Sequence, residues 1–392
     1  MRSVGIVCEC NPLHGGHQYL IQQARQSGAD AIVCVMSGYF PQRGEAAVAD
    51  PHTRAHALIL GGADAVVELP FPFSCAGAEF FASAGVEILN RLGVEELWFG
   101  SECGDLALLE RAAALADSSP FQEQYAQTAG QKEGTAQAFF DLLQEQLGLS
   151  APFSSNDALG IAYLRAIRKQ SASLRPHTVK RVGSGYREES ATSGSYPSAM
   201  AVRKRIFEKG VAAADDLLSP DTLRLLQEAE KNGTALADLK NAERWILGHL
   251  RLSSAERNVA ELTGGLLPRL LSAAEKATSY EELLSLAATK KYPLSRLRRG
   301  ILYVLCDVAP EDLRTSPAYT RLLAANRVGC QFLAEQRKSL QIPVVTRNAS
   351  LPQTAEAKRQ AEWERRACAM YTLCLPAPKS PEALLKKNPI IR

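Results

Sequence analysis

The sequence predicts an α/β fold: a parallel sheet with helices on both faces, followed by a mostly α-helical C-terminal domain. Up to about residue 182, short β-branched apolar runs alternate with amphipathic stretches, the pattern of a parallel sheet buried on both faces. Each run ends in residues suited to a turn or a ligand. Beyond about residue 210 the strand signals nearly vanish, and Leu/Ala-rich helical stretches take over.

The first predicted strand, 4–9, holds the apolar run Val4 to Val7, and the others follow at 31–37, 65–69, 96–100 and 177–182. Candidate helices lie between them at about 16–27, 51–60, 76–92 and 156–169. The strand tips read Ser37-Gly38-Tyr39, Glu68-Leu69-Pro70, Phe99-Gly100-Ser101-Glu102 and Arg181-Val182-Gly183. Ligands of such sheets bind beyond the carboxyl ends of the strands, so these tips form the expected rim of a site. Residues 106–150 read as a helical insertion broken by a polar tract at 127–134, either a lid or a packing layer. The C-terminal half predicts helices at 222–231, 235–252, 280–288, 294–308 and 320–338, and one short extended run at 341–346. The expected division is 1–210 for the sheet domain and 211–392 for the helical one.

Composition sets the outer bounds. The 392 residues are 46% hydrophobic and 22% charged, as in an ordinary globular protein of two or three domains. The balance of 45 basic against 42 acidic residues neither demands nor excludes a nucleic-acid partner. Nine cysteines in or beside apolar runs, without framework spacing, suggest reduced core thiols. No secretory leader is evident and no apolar run reaches the ~18 residues that span a bilayer, so the expected location is cytoplasmic, with no membrane and no protein partner.

The most informative segment is the first turn. A strand runs through Glu9-Cys10-Asn11-Pro12 into His14-Gly15-Gly16-His17, where a helix begins. Glycines admit a ligand to the backbone, and the first helical turn offers unpaired N–H groups and a partial positive charge to an anion. Two imidazoles then face a phosphate chain from one helix edge. Neither the Lys-bearing phosphate loop nor the dinucleotide glycine pattern occurs. A metal half-site is the weaker reading, because no Cys-x-x-Cys exists and Glu9 is the only acid nearby. A second pair, His52 and His56, reads as a partly buried helix surface.

Two basic clusters stand out. Arg203-Lys204-Arg205 follows Ser198 at a helix start, where a hydroxyl, N–H groups and an Arg suit terminal phosphates. Lys290, Lys291, Arg296, Arg298 and Arg299 carry five charges without an acid, around Tyr292. That segment suits an RNA backbone, or a solvated helix face. Asn156 reads equally as a ribose contact or a helix N-cap, and Gly100 as bare backbone beneath a nucleotide or a turn glycine. Glu9, Asp64, Glu68, Glu102 and Asp157 could each hold a metal or cap a turn; the metal set stays empty.

These residues carry a resemblance. Glu9-x-Asn11-Pro12-x-His14-x-Gly16-His17 followed by Ser-Ala-x-x-Val-Arg resembles the Rossmann-like HIGH-type nucleotidyltransferases. More narrowly, the chain resembles the bacterial tRNA(Met) cytidine acetate ligase family. The likeness extends through Ser37-Gly38-x-Phe40-x-Gln42-Arg43-Gly44, Ala63-Asp64-x-Val66-x-Glu68-Leu69-Pro70, Phe99-Gly100-Ser101-Glu102, Ser155-Asn156-Asp157-x-Leu159-Gly160 and Lys180-Arg181-x-Gly183-x-Gly185-Tyr186. It departs at Cys10, where an aromatic is usual, and at Gly15, where a polar residue is common.

The resemblance implies an enzyme that uses ATP to make acetyl-adenylate from acetate, then acetylates the N4 amine of the wobble cytidine in elongator tRNA(Met). It implies ATP contacts along Val7-Cys8-Glu9-Cys10-Asn11-Pro12-Leu13-His14-Gly15-Gly16-His17-Gln18-Tyr19-Leu20 and at Gly100, Asn156, Arg181 and Val182. Mg2+ could accompany the nucleotide. The expected catalytic groups are His14, His17, Ser198 and Arg203, because a carboxylate attacking an anionic α-phosphate needs positive charge and N–H donors more than a base. The basic segment is expected to meet the tRNA anticodon loop. Two alternatives remain open: an enzyme that joins ATP to a phosphorylated metabolite in cofactor synthesis, and an RNA-binding protein with a regulatory nucleotide site.

Overall fold

In the computed structural model, residues 1–129, 135–181, 198–289 and 292–392 are described. Five parallel strands form the body of the sheet: β1 (Ser3–Cys8), β2 (Ala31–Ser37), β3 (Ala65–Leu69), β4 (Glu96–Ser101) and β5 (Arg175–Lys180). Their spatial order is β5-β4-β1-β2-β3. The chain therefore steps from β1 to β3 on one side, then returns to build β4 and β5 on the other. That reversal parts the carboxyl ends of β1 and β4 and creates a crevice.

Strand alternation divides the core in two. Val33, Val35 and Val67 face α3 (Ala78–Arg91) and α7 (Ser155–Gln170), where Phe81, Val86 and Ile161 are buried. Ile6, Ile32, Cys34 and Val66 face α1 (Gly15–Gln26) and α2 (Pro51–Leu60) with Ile21, Leu58 and Ile59. Every residue of β1, β2 and β3 is buried, which explains their nearly unbroken apolar sequence. The insertion forms α4 (Leu106–Ala116), α5 (Ser119–Ala129) and α6 (Thr135–Leu147), and α4 packs on α7.

After α8 (Ala199–Lys209) come α9 (Pro220–Lys231), α10 (Glu243–Arg251), α11 (Leu266–Lys276), α12 (Tyr280–Ala287) and α13 (Leu294–Cys306). Their core joins Phe40 and Phe71 from the strand tips to Leu270, Leu283, Leu297 and Tyr371, so no linker separates the halves.

One expectation is corrected. The stretch 320–338, predicted as a helix, is strand β6 (Thr320–Ala325) followed by α14 (Arg327–Gln336). Leu and Ala favour a helix locally, but pairing antiparallel to β3 buries Leu322 and Ala325 on one sheet face and Leu323 and Ala324 on the other. Thr320 Oγ1 fixes the register by donating to Glu68 O at 2.6 Å. The extended run contributes only β7 (Val344–Val345), and after α15 (Ala355–Cys374) and α16 (Pro381–Leu385) strand β8 (Ile390–Ile391) also pairs with β6. All nine cysteines are free thiols. Among the described residues no helix is long and apolar enough to cross a membrane.

Candidate active site

The crevice is lined by the tips of β1, β4 and β5 and by the first turns of α1, α7 and α8. Three helix N-termini thus point unpaired N–H groups and positive dipole ends into one space. Of the predicted nucleotide contacts, Val7, Cys8, Glu9, Cys10, Asn11, His14, Gly16, His17, Tyr19, Leu20, Gly100, Asn156, Arg181, Ser198 and Arg203 line it. Pro12, Leu13, Gly15 and Gln18 lie in the same segment without lining it, and Leu13 is 1% exposed in the core under α1. Val182 falls outside the described residues.

His14 is the N-cap of α1, and its Nδ1 accepts the Gly16 N–H at 3.1 Å. His17 Nδ1 in turn accepts the His14 N–H at 3.4 Å, closing a reciprocal cap made of two imidazoles whose centroids stand 4.1 Å apart. An Nδ1 that accepts carries no proton, so in each neutral ring the proton sits on Nε2. The hydrogen bonds of both rings among the described residues run through Nδ1, and both rings line the crevice. The cap therefore does two things: it starts the helix, and it fixes the tautomer that leaves an Nε2–H on each of two rings lining the crevice. A side chain at Gly16 would put its Cβ 2.9 Å from His14 Cε1, so the arrangement needs glycine there.

Burial, then the charges of His17, Arg181 and Arg203, hold His14 well below its usual pKa; burial lowers His17 to about 4. His52, capped close to Asp50, is likewise lowered to about 4 by burial. These rings are neutral when folded and take up protons when unfolded, so stability is complete above about pH 6.5 and is lost as pH falls toward 4. Glu68 acts in the opposite sense, because burial and then Glu364 push it up. Three histidines outweigh it, at about 1.4 kcal/mol per pH unit for each proton. Urea midpoints measured at pH 7 and pH 5 should show the lower value at pH 5; equal midpoints would contradict neutral buried rings.

The turn after β1 is pinned by a group that sequence reasoning missed. Arg54, 2% exposed, donates to Ala49 O at 3.0 Å, Glu9 O at 2.7 Å and Ser37 O at 2.9 Å, and also to Gly38 O. It gathers the ends of β1 and β2 at the crevice floor. Asn11 is structural as well, since its Oδ1 accepts the Val48 N–H at 2.7 Å.

On the opposite wall, α7 is capped by Ser154 with Asp157 at the third position, which removes the capping reading of Asn156. The Asn156 amide donates instead to Glu102 Oε1 at 2.6 Å, and Arg181 Nε stands 3.6 Å from the same oxygen. Glu102 thus positions both predicted nucleotide contacts. A Cβ on Gly100 would meet Arg181 Cγ at 3.2 Å, so bare backbone keeps this wall open. Asp64 holds Asn326 and the Ile32 N–H, and Asp157 holds the Cys103 N–H; both are structural caps. Among the described residues no group of three His, Cys, Asp or Glu side chains could hold a metal, the pair His52 and His56 included.

Ser198 caps α8 by accepting the Ala201 N–H at 3.2 Å. Arg203 donates to Asn11 O at 2.8 Å and pairs with Glu45 at 2.9 Å. Glu45 also pairs with Arg298 at 2.6 Å, so one carboxylate joins the crevice to α13.

A profile of the HIGH Nucleotidyl Transferase family matches residues 1–385. The tRNA(Met) cytidine acetate ligase of Acetivibrio thermocellus is 34% identical over 96% of this chain and 96% of its own. That of Syntrophotalea carbinolica is 34% identical over 98% of this chain and 94% of its own. The chain belongs to the tRNA(Met) cytidine acetate ligase family. A crystal structure of Thermotoga maritima TmcAL (apo, form I) superposes with a TM-score of 0.92 at 28% identity, covering 100% of this chain and 99% of that one. Its form bound with alpha-thio ATP superposes at 0.90, with the same identity and coverage.

In this ligase family member the basic segment splits. Arg299 is 9% exposed, makes two contacts of 3.0 Å with Glu261, and donates to Gln42 O at 3.2 Å. This corrects the expectation that all five charges present a surface, because a guanidinium paired and desolvated in the core has no face for a phosphate. Arg296 stacks on Tyr292 with its guanidinium carbon 4.5 Å from the ring centroid, and donates to Glu261 O at 2.7 Å. Arg298 keeps 27% of its side chain exposed. Lys290 and Lys291 lie outside the described residues.

Proposed function

We propose that this protein activates acetate with ATP and transfers the acetyl group to the N4 amine of the wobble cytidine in elongator tRNA(Met). In the first step an acetate oxygen attacks the α-phosphorus, the bond to the β-phosphate oxygen breaks, and pyrophosphate leaves. In the second, the cytidine amine attacks the acetyl carbon, AMP leaves with the bonding pair, and the amine loses a proton. The observation that carries this reading is the convergence of three helix N-termini and two Nε2–H donors at the sheet's switch point, in a chain related over nearly its whole length to named ligases.

His14 and His17 donate to the phosphate oxygens, where negative charge concentrates in the transition state. Arg181 and Asn156, held by Glu102, bind the adenylate half. Ser198, the α8 terminus and Arg203 bind the departing pyrophosphate, which draws Arg203 from Glu45. Magnesium, when it accompanies ATP, is carried by the phosphates. The ATP site belongs to 1–210 and the RNA-facing helices to 211–392, with Arg298, Arg296, Lys290 and Lys291 meeting the anticodon loop. An unpaired loop base can be splayed into a pocket at modest cost. Substrates of this kind set the place of action in the cytoplasm.

Acetate-dependent exchange of labelled pyrophosphate into ATP, with the purified protein and no tRNA, tests the first step. Exchange with acetate supports the ligase, exchange only with a phosphorylated metabolite supports the alternative nucleotidyltransferase, and none with either rejects both.

A further inference from the structure

Two polar atoms in the crevice have no partner among the described residues: the Tyr163 hydroxyl and the Gln42 side-chain amide nitrogen, both buried. Tyr163 is 2% exposed, on the third turn of α7, with its ring 5.7 Å from that of Phe99. Gln42 sits in the loop after β2, where its backbone is fully engaged: its N–H donates to Glu9 at 3.0 Å and its carbonyl accepts from Arg299 at 3.2 Å. The two side chains come from different elements and line the crevice together with Val7, Cys8 and Glu9 at the β1 tip.

Leaving a buried donor unpaired costs about 1–3 kcal/mol, and a ligand that enters this cavity and accepts from both would recover that cost. The surroundings restrict its chemistry. Phe81, Phe99 and Leu159 line the same space, which therefore takes a small group with one polar and one apolar end. Both unpaired groups can donate hydrogen bonds, so the polar end is an acceptor. Burial holds the Glu9 carboxyl above its usual range despite the nearby Arg203 and Arg43, so Glu9 carries less negative charge and those two guanidiniums attract an anion. We propose that Tyr163 and Gln42 donate to the carboxylate of acetate while Phe81 and Phe99 enclose its methyl group, placing the nucleophile beside the nucleotide site. This subsite rests on the reading of the chain as an acetate-activating enzyme.

The test uses Tyr163→Phe and Gln42→Met. Removing an unpaired hydroxyl leaves no buried group newly unsatisfied, so the first variant should melt no lower than the parent. Each should raise the KM for acetate in pyrophosphate exchange by roughly ten- to a hundred-fold, the loss of one hydrogen bond to a charged group, while affinity for a non-hydrolysable ATP analogue stays within twofold. An unchanged acetate KM in both variants overturns the subsite. So does analogue affinity that falls in step with acetate, since the residues would then belong to the nucleotide pocket. Absence of acetate-dependent exchange in the parent protein instead defeats the functional reading itself.

Discussion

Replacing His14 with asparagine is expected to leave α1 intact and to reduce acetate-dependent pyrophosphate exchange by roughly 10²- to 10³-fold, the usual cost of removing one transition-state hydrogen-bond donor. Asparagine is among the best N-cap residues, and its Oδ1 can accept the Gly16 N–H that His14 Nδ1 now accepts. It cannot extend an N–H to the position of Nε2. His14→Ala removes both roles, so it should match the asparagine variant in exchange rate and melt lower by the value of a cap, about 1 kcal/mol. Thermal melts beside exchange assays separate the two effects. Should His14→Asn keep more than a tenth of parental activity, the imidazole caps a helix and no more.

The second large effect concerns stability. Glu261→Ala strips the Arg299 guanidinium of its carboxylate, and an unpaired buried charge costs about 3–5 kcal/mol. Urea unfolding should register that loss. Replacing both partners with apolar residues, Glu261→Met with Arg299→Leu, should recover most of it, because a buried ion pair is often no better than hydrophobic packing of similar volume. Arg298→Ala offers the contrast: it gives up a half-exposed pair worth at most about 1 kcal/mol. It should weaken tRNA binding and lower the salt dependence by about one phosphate contact. If Arg298→Ala leaves both affinity and salt slope unchanged, α13 does not face the nucleic acid.

Sequence periodicity placed β1 to β5 within about two residues of their observed bounds; for β1 to β3 the reason is that parallel strands buried on both faces must be apolar throughout, whereas β5 is a partly exposed edge strand of mixed sequence. It failed at Thr320–Ala325, where a segment of helix formers is recruited by the open edge of β3. The opening motif was legible for a similar reason: glycine and histidine at a strand-to-helix turn have few other uses. What remained hidden depends on contacts far apart in the chain. Arg54 reads as an ordinary helix residue until its carbonyl partners 16 and 45 positions away are known. Glu102 reads as a turn acid until Asn156 and Arg181 are seen on one of its oxygens. A run of charges such as Arg296 to Arg299 carries no sign of which member faces inward, and helix rotation against Glu261 decides that.

Strand β6 has a practical corollary for anyone wishing to study the nucleotide-binding portion alone. A recombinant piece ending near position 210 would leave β3 as a naked border, its peptide groups on that side deprived of the partners that Leu322, Ala324 and Ala325 now supply. Bare borders of this kind recruit other chains. Shortened versions should therefore keep the late strand or replace it, and dissection by point substitution is the safer route.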